Sequence, residues 1–220
     1  MARIVAIFAA LAILSGPLFA QAPKAAPPAA DAAKEKWESL FDGKSLTGWK
    51  ETNFGGEGEI EVKDGQIILQ MGQPLTGLTI KDGSKLPKDN YEITLQAMKR
   101  KGDDFFCALT FPIRDTHASF VVGGWGGSVV GLSSIDGQDA SENETTDYVT
   151  LPKDKWHTIK VRVAGGKVEC WLNDKQQVEV ELKDKRLSTR IEVDANKPLG
   201  ICCYNVEAAV KDIKLRRLEK

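Results

Sequence analysis

Apolar and polar residues alternate with a period of two along much of this chain. In residues 158–163, for example, Ile159, Val161 and Val163 alternate with polar side chains, and residues 91–98 follow the same pattern. Strict alternation predicts half-buried strands, because successive side chains of a strand point to opposite faces of its sheet. Turn-forming pairs of Gly with Asp or Asn recur between these segments. The pattern therefore predicts an all-β fold, either a sandwich or a barrel.

The beginning of the chain has a different composition. A short basic start precedes an apolar run from Ile4 to Leu14, and small residues follow at Ala20 and Ala22. This is the layout of a secretory signal peptide, and the run is too short to span a bilayer comfortably. We therefore expect residues 1–20 to be removed and the mature protein to be secreted or periplasmic, without a transmembrane span. A retained membrane anchor is the alternative.

Two further segments follow the expected cleavage site. Residues 21–36 are rich in Ala, Pro and Lys, a composition that favours a loose linker over a packed core. Residues 37–220 are globular in character, and their length suits one all-β domain better than two domains.

Charge and cysteine content narrow the class of protein. The chain has 30 basic and 31 acidic residues, so it lacks the basic excess of a nucleic-acid-binding protein. Its four cysteines each lie in an apolar, strand-like run, and no Cys-x-x-Cys spacing is present. We expect free, buried thiols and no zinc site, with one disulfide as the alternative.

The segment 123–147 is the strongest candidate for a binding site. Trp125 lies between two pairs of glycines, which permit unusual backbone angles and close approach of another group. This arrangement is suited to presenting a flat ring to a ligand, although a solvated loop beside a strand is the plainer interpretation.

Five acids follow Trp125 in the same polar segment, and four of them are candidate site residues: Asp136, Asp139, Glu142 and Glu144. Oxygen ligands at short spacing are suitable for Ca²⁺, although the spacing differs from that of known calcium loops. Alternatively, one of these carboxylates is a general base, whose pKa would be raised in a dry cleft. The plain alternative is again a solvated acidic loop.

The segment 156–172 predicts a hairpin with two distinct faces. The inner face would contain His157, Ile159, Val161, Val163, Val168, Cys170 and Leu172. The outer face would contain Trp156, Thr158, Lys160, Arg162, Glu169 and Trp171. Trp171 and Arg162 on one outward face are suited to bind a sugar, since rings pack against its C–H groups and Arg donates hydrogen bonds. The alternative is that Arg162 pairs with Glu169 across the strands.

Several motifs together resemble the 3-keto-disaccharide hydrolase domain family. They are the opening segment Phe41-Asp42-Gly43-Lys44-Ser45-Leu46-Thr47-Gly48-Trp49, the segment Val62-Lys63-Asp64-Gly65-Gln66-Ile67, the hairpin described above and the closing segment Val210-Lys211-Asp212-Ile213-Lys214-Leu215. The resemblance implies a concanavalin-like jelly roll of two antiparallel sheets, export, and a role in carbohydrate breakdown. It also implies cleavage of 3-keto glycosides, in which a base removes the C2 proton, a cation stabilises the enolate and the C1 oxygen leaves.

The resemblance gives a role to residues that precede Trp125. Arg114 and His117 lie in a turn-like stretch before the Trp125 strand, so they are candidates to stabilise an enolate or to act as acid and base. A solvated surface turn is the alternative interpretation of both.

Two functions are therefore expected from the sequence. The first is an exported enzyme that acts on keto-modified glycosides, with Asp136, Asp139, Glu142, His117 and Arg114 as catalytic candidates and Trp125, Arg162, Trp171 and Glu144 as substrate-binding candidates. The second is a non-catalytic carbohydrate-binding jelly roll that uses Trp125, Trp171 and Arg162.

Overall fold

The computed structural model of this protein describes residues 36–219. The expected signal peptide, residues 1–20, and all but the last residue of the expected linker, residues 21–36, lie outside the described residues. Within the described part of the chain, no helix is long and apolar enough to cross a membrane.

Strands dominate the described residues. The first eight are β1 (Glu38–Ser39), β2 (Trp49–Glu51), β3 (Ile60–Lys63), β4 (Gln66–Leu69), β5 (Leu75–Ile80), β6 (Tyr91–Gly102), β7 (Cys107–Ile113) and β8 (Thr116–Gly123). A helical turn, α1 (Gly124–Gly127), comes next. It is followed by β9 (Val129–Ser133), β10 (Asp147–Tyr148), β11 (Trp156–Ala164), β12 (Lys167–Leu172), β13 (Lys175–Glu181), a 3-10 helix (Ile191–Asn196), β14 (Gly200–Tyr204) and β15 (Val206–Arg217).

The strands form two antiparallel sheets. Sheet A has the order β13-β12-β11-β6-β15-β4-β3, with β1 also paired with β15, and sheet B has the order β10-β9-β8-β7-β14-β5-β2. The main core contains residues from both sheets, such as Ile93 and Val161 from sheet A and Phe120 and Ile201 from sheet B. The predicted two-sheet jelly-roll sandwich is therefore confirmed.

The predicted hairpin is formed by β11 and β12 of sheet A. Val161 is opposite Cys170, and Arg162 is opposite Glu169. Buried and more exposed residues alternate along both strands, so the predicted inner and outer faces are confirmed. This alternation follows from the period of two, since only one face of sheet A packs against sheet B.

Sheet B differs because its outer face is also partly covered. Every residue of its central strand β7 is buried. The inner face of β7 joins the main core, whereas Ala108 on its outer face joins a second, smaller cluster with Val121 and with Val193 of the 3-10 helix. The segment that carries this helix therefore lies over the outer face of sheet B.

The four cysteines, Cys107, Cys170, Cys202 and Cys203, are free and buried in the described structure. Cys203 faces the main core and Cys202 the second cluster, as expected for adjacent residues of a strand. Burial raises the pKa of Cys107 and Cys170, and it raises the pKa of Cys203 to about 12. The thiols are therefore small apolar core residues, as the sequence predicted.

Candidate functional site

The turn α1 holds Trp125 in an unusual backbone conformation. Trp125 has φ 48° and ψ 59°, in the left-handed region, and Gly126 and Gly123 have φ 84° and 86°. The backbone N–H of Ser128 closes the turn by donating to the carbonyl of Gly124. A bulky residue at positive φ is strained, and such strain is common at functional sites. The side chain remains 41% exposed, which leaves much of the indole accessible at the surface.

The Trp125 indole lines a cavity of about 210 Å³ on the outer face of sheet B. The residues that line the cavity are Leu75, Asp104, Phe105, Ala108, Ser119, Val121, Trp125, Ser133, Arg190, Glu192, Val193 and Tyr204. The cavity thus combines an apolar wall, three hydroxyl-bearing residues, two carboxylates and one guanidinium. This mixture of apolar surface and a few polar groups is typical of ligand sites.

Small side chains on adjacent strands of sheet B make the floor of the cavity. Ala108 pairs with Val121 across β7 and β8, and Ser119 pairs with Ser133 across β8 and β9. All four side chains project from the outer face, as the period of a strand requires. Because none of them is large, the floor lies lower than the aromatic residues around it.

The segment before the 3-10 helix carries the positive charge of the site. Arg190 donates hydrogen bonds to Asp139 and to Oε1 of Glu192, the latter at 2.7 Å. Its guanidinium carbon lies 5.7 Å from the centre of the Trp125 ring, within reach of a cation–π interaction. The hydrogen bond from Arg190 is the main reason why the pKa of Glu192 is lowered. Glu192 is therefore ionised at neutral pH, and the two carboxylates fix Arg190 at the edge of the cavity.

Asp104 is the second carboxylate that lines the cavity, and its surroundings are different. Its Oδ1 accepts the backbone N–H of Phe105 at 2.7 Å, and its Oδ2 lies 3.5 Å from the backbone nitrogen of Gly126. Over residues 36–219, no lysine or arginine nitrogen lies within ion-pairing distance of this carboxylate. Asp104 is thus, among the described residues, the cavity carboxylate without an ion-pair partner.

The structure distributes the four predicted acids of the polar segment over different environments. Asp139 contacts Arg190 and so lies beside the cavity, although it does not line it. Asp136 accepts the backbone N–H of Arg186, and this hydrogen bond is the main cause of the lowered pKa of its carboxyl. That direction is opposite to the raised pKa expected of a general base in a dry cleft.

The other two acids lie at the surface. Glu142 is exposed, and Glu144 is exposed and paired with Lys185 at 2.8 Å. Among residues 36–219, no group of three or more His, Cys, Asp or Glu side chains is arranged to hold a metal ion. Three of the acids considered as Ca²⁺ ligands contact cationic side chains or backbone groups of the protein: Asp136, Asp139 and Glu144.

The two candidates that precede Trp125, Arg114 and His117, both belong to the hairpin of β7 and β8. His117 lies on β8, two residues before Ser119 of the cavity floor, and burial followed by the charge of Lys197 lowers its pKa. Arg114 lies in the turn of this hairpin at φ 49° and reaches toward Gly166 in the β11–β12 turn. Neither side chain lines the cavity.

Arg162 and Trp171 lie on the outer face of sheet A and thus on a different sheet from Trp125. Arg162 Nε lies 3.9 Å from Glu169 and 4.0 Å from Glu92. Lys160 Nζ lies 3.9 Å from the centre of the Trp171 ring. The structure therefore does not bring the predicted outward platform together with Trp125, and it shows the cross-strand charge pair that was the alternative.

The three charged residues of the cavity were not selected from the sequence: Asp104, Arg190 and Glu192. Arg190 and Glu192 follow Trp125 by more than sixty residues and meet it because their segment crosses the outer face of sheet B. No local motif marks them. A weak signal exists for Asp104, an acid that directly precedes the largely apolar run of residues 105–111.

A family model for 3-keto-alpha-glucoside-1,2-lyase-like domains matches residues 36–216 of this chain. No curated protein matches the sequence.

Several solved structures are similar to the chain. A candidate glycosyl hydrolase from Parabacteroides distasonis ATCC 8503 is 16% identical with a TM-score of 0.52, over 83% of this chain and 94% of that one. A Bacillus subtilis protein with a galectin-like fold is 11% identical with a TM-score of 0.55, over 84% and 100% of the two chains. The Crh5 transglycosylase in complex with NAG is 11% identical with a TM-score of 0.53, over 86% of each chain. At these identities the likeness concerns the fold alone.

Proposed function

The chain belongs to the 3-keto-alpha-glucoside-1,2-lyase-like domain family, and on this premise we propose that it is an exported enzyme that cleaves 3-keto glycosides in the cavity beside Trp125. The observation that carries the proposal is the grouping of an unpaired carboxylate, a fixed guanidinium and an exposed indole around one cavity. These are the three functions that such a cleavage needs: a base, a cation and a surface that positions the sugar.

In the proposed reaction Asp104 is the general base. A ketone at C3 of the sugar acidifies the hydrogen on C2, and a carboxylate without a cationic partner can accept that proton. The electron pair of the C2–H bond forms a C2–C3 double bond, and the π pair of the C3 carbonyl moves to its oxygen, which gives an enolate. Arg190 donates to this oxygen and stabilises its charge, the role that fixed donors have in other enzymes.

Cleavage of the glycosidic bond completes the elimination. The enolate collapses to a C1–C2 double bond, the C1–O bond breaks, and the leaving oxygen takes the proton that Asp104 has accepted. The products are an enone and an alcohol, and addition of water to the enone gives the free 3-keto sugar. Glu192 is ionised beside Arg190 and is therefore assigned no proton transfer; with Asp139 it acts as a positioning residue for the guanidinium.

Export belongs to the same proposal. The residues that motivate it are the basic start, the apolar run and the small residues near position 20. Expression of the full chain in a bacterial host, followed by fractionation and N-terminal sequencing, tests it. A mature N-terminus at Gln21 supports export, whereas an intact N-terminus in the membrane fraction supports the retained anchor.

The activity is tested with a chromogenic 3-keto-glucoside. Release of the aglycone is followed with the purified protein, with the corresponding glucoside that lacks the ketone, and with a chelator present. We expect release only from the keto substrate and no effect of the chelator. Absence of turnover above buffer would overturn the proposal.

The second candidate function is non-catalytic binding of carbohydrate at the same cavity. The exposed Trp125 indole with Arg190 beside it favours this function, because a ring and a fixed donor suffice to hold a sugar. Binding of the keto-glucoside without turnover, measured by calorimetry, would select this second function.

A further inference from the structure

A second cavity lies on the other side of the turn that holds Trp125. It has a volume of about 320 Å³. Its lining consists of Lys99, Gly126, Gly127, Ser128, Tyr148, Val149, Thr150 and Leu151. Gly126 belongs to the same turn as Trp125, so this turn separates the two cavities. None of the side chains that line the second cavity has a role in the reaction proposed above.

Lys99 is the unusual residue of this cavity. It lies on β6 in phase with the inward-facing residues Leu95 and Ala97, and it is only 5% exposed. Its Nζ lies beneath the turn, since a Cβ atom built on Gly127 would be 3.3 Å from it. Lysine is almost never buried to this extent unless it is paired, because its charge loses hydration.

Lys99 has no carboxylate partner within ion-pairing distance in the described structure. Asp103 and Asp104 attract its charge from beyond ion-pairing distance. Asp103 pairs with Lys153 at 3.1 Å, and Asp104 faces the other cavity. Burial is the main cause that lowers the pKa of Lys99. Within residues 36–219, Lys99 is therefore a largely buried lysine that borders a cavity and forms no ion pair.

A second buried donor on the neighbouring strand also lacks an acceptor. His157 is 4% exposed and pairs with Ala97, two residues from Lys99 along β6. Its Nδ1 lies 3.3 Å from the side-chain amide nitrogen of Asn173, which donates to it, so the proton of the neutral ring is on Nε2. Among the described residues, that Nε2 has no hydrogen-bond partner. Lys99 and His157 are therefore two largely buried, neighbouring side chains that can each donate a further hydrogen bond.

We propose that this second cavity binds an acidic sugar and that Lys99 receives its carboxylate. A carboxylate supplies a charged acceptor for the Lys99 amine, and hydrogen bonds between two charged groups are stronger than those between neutral ones. Tyr148, which is 70% exposed at the same cavity, offers a ring for the C–H face of the sugar. The proposal does not depend on turnover in the cavity beside Trp125.

The test is a calorimetric or NMR titration of the full chain with D-glucuronate, with D-glucose and acetate as matched probes. D-glucose has the ring without the charge, and acetate has the charge without the ring. We expect D-glucuronate to bind at least about tenfold more tightly than either. Equal affinity for D-glucose, or equal affinity for acetate, would overturn the proposal.

Two lysine variants locate the site. Lys99→Met keeps most of the side-chain length and removes the amine, and we expect it to weaken D-glucuronate binding about tenfold or more. Lys153→Met is the control, because this half-exposed lysine is close to Lys99 but does not line the cavity. An equal loss in both variants would show a diffuse charge effect and contradict the assignment of Lys99.

A labelling experiment on the unmodified sequence covers the case in which Lys99→Met does not fold. Reductive methylation of the full chain is followed at Lys99 and Lys153 by peptide mass spectrometry, with and without D-glucuronate. We expect D-glucuronate to slow modification of Lys99 alone. Unchanged labelling of Lys99 at saturating D-glucuronate would contradict the proposal.

Discussion

Trp125 and Trp171 were both predicted to offer a ring to a sugar, but the surroundings of the two rings differ between the two sheets. The Trp171 ring on sheet A is half-buried beneath Lys160, and Trp156 on the same face lies beneath Lys211 at 4.2 Å. The Trp125 ring on sheet B borders a cavity. The comparison shows that an outward aromatic residue becomes a binding surface only where its neighbours leave space beside it.

The difference between the sheets has a structural cause. On sheet A the long strands β6, β11 and β15 run side by side, so an outward residue has a direct cross-strand neighbour: Arg162 is opposite both Glu92 and Glu169. Such cross-strand neighbours pair with one another through their opposite charges. On sheet B, small floor residues and the two segments that carry Trp125 and Arg190 leave a recess instead.

The largest effect is expected from Asp104→Asn. This change removes the proposed base and keeps an oxygen that can accept the N–H of Phe105, so turnover of a 3-keto-glucoside should fall by about a thousandfold. The measurement is kcat for aglycone release. Asp103→Asn is the control, since Asp103 is exposed and pairs with Lys153. Turnover that survives in Asp104→Asn would remove Asp104 from the mechanism.

A smaller loss is expected from Arg190→Gln. Without the guanidinium the enolate loses its stabilising cation, and kcat should fall by about a hundredfold. The matched change on the other sheet, Arg162→Gln, should leave kcat within about twofold, because Arg162 contacts only acids of sheet A. Similar losses in the two variants would contradict the assignment of the site to sheet B.

The two tryptophans are compared directly by Trp125→Ala and Trp171→Ala. Removal of the Trp125 ring should raise KM for the keto-glucoside about tenfold, because the sugar loses its packing surface. Removal of the Trp171 ring should leave KM unchanged. A rise in KM for Trp171→Ala alone would move the binding surface to sheet A.

The histidines provide a pH comparison between the sheets. Burial lowers the pKa of His157 on sheet A below its usual 6.5. Between the lowered pKa and 6.5, this histidine is therefore protonated in the unfolded chain and neutral in the folded chain. The resulting stability is present above about pH 6.5 and is lost as the pH falls through the lowered pKa. The measurement is the free energy of unfolding in urea as a function of pH.

In His157→Gln this decline should become shallower. His117→Gln should show a weaker change in the same direction, because the pKa of His117 is also lowered but its side chain is less buried. An identical pH dependence of the protein with and without His157 would contradict the prediction.

The strands and their faces could be predicted from the sequence because they depend on local periodicity. The hairpin of β11 and β12 illustrates this: the burial of Val161 and the exposure of Arg162 follow from the period of two. Trp125 was also identified locally, from its flanking glycines. Arg190 and Glu192 could not be identified in this way, because their position depends on the path of the chain after β13.

The interpretation of the acidic segment illustrates a second limit. Asp136, Asp139 and Glu144 were candidates because acids near a tryptophan suggest chemistry. Their partners are the backbone N–H of Arg186 and the side chains of Arg190 and Lys185, which come from a segment about forty to fifty residues later. A sequence reveals which charges a loop carries, but only the tertiary fold determines which of them are neutralised.

The left-handed backbone of Trp125 implies a conflict between the stability of the fold and the binding of a ligand. Glycine would occupy this position without strain, so Trp125→Gly should raise the free energy of unfolding by about 1 kcal/mol while it removes the indole. A library screened for heat resistance alone would be expected to lose the tryptophan. Engineering campaigns on this protein should therefore select for ligand retention in every round.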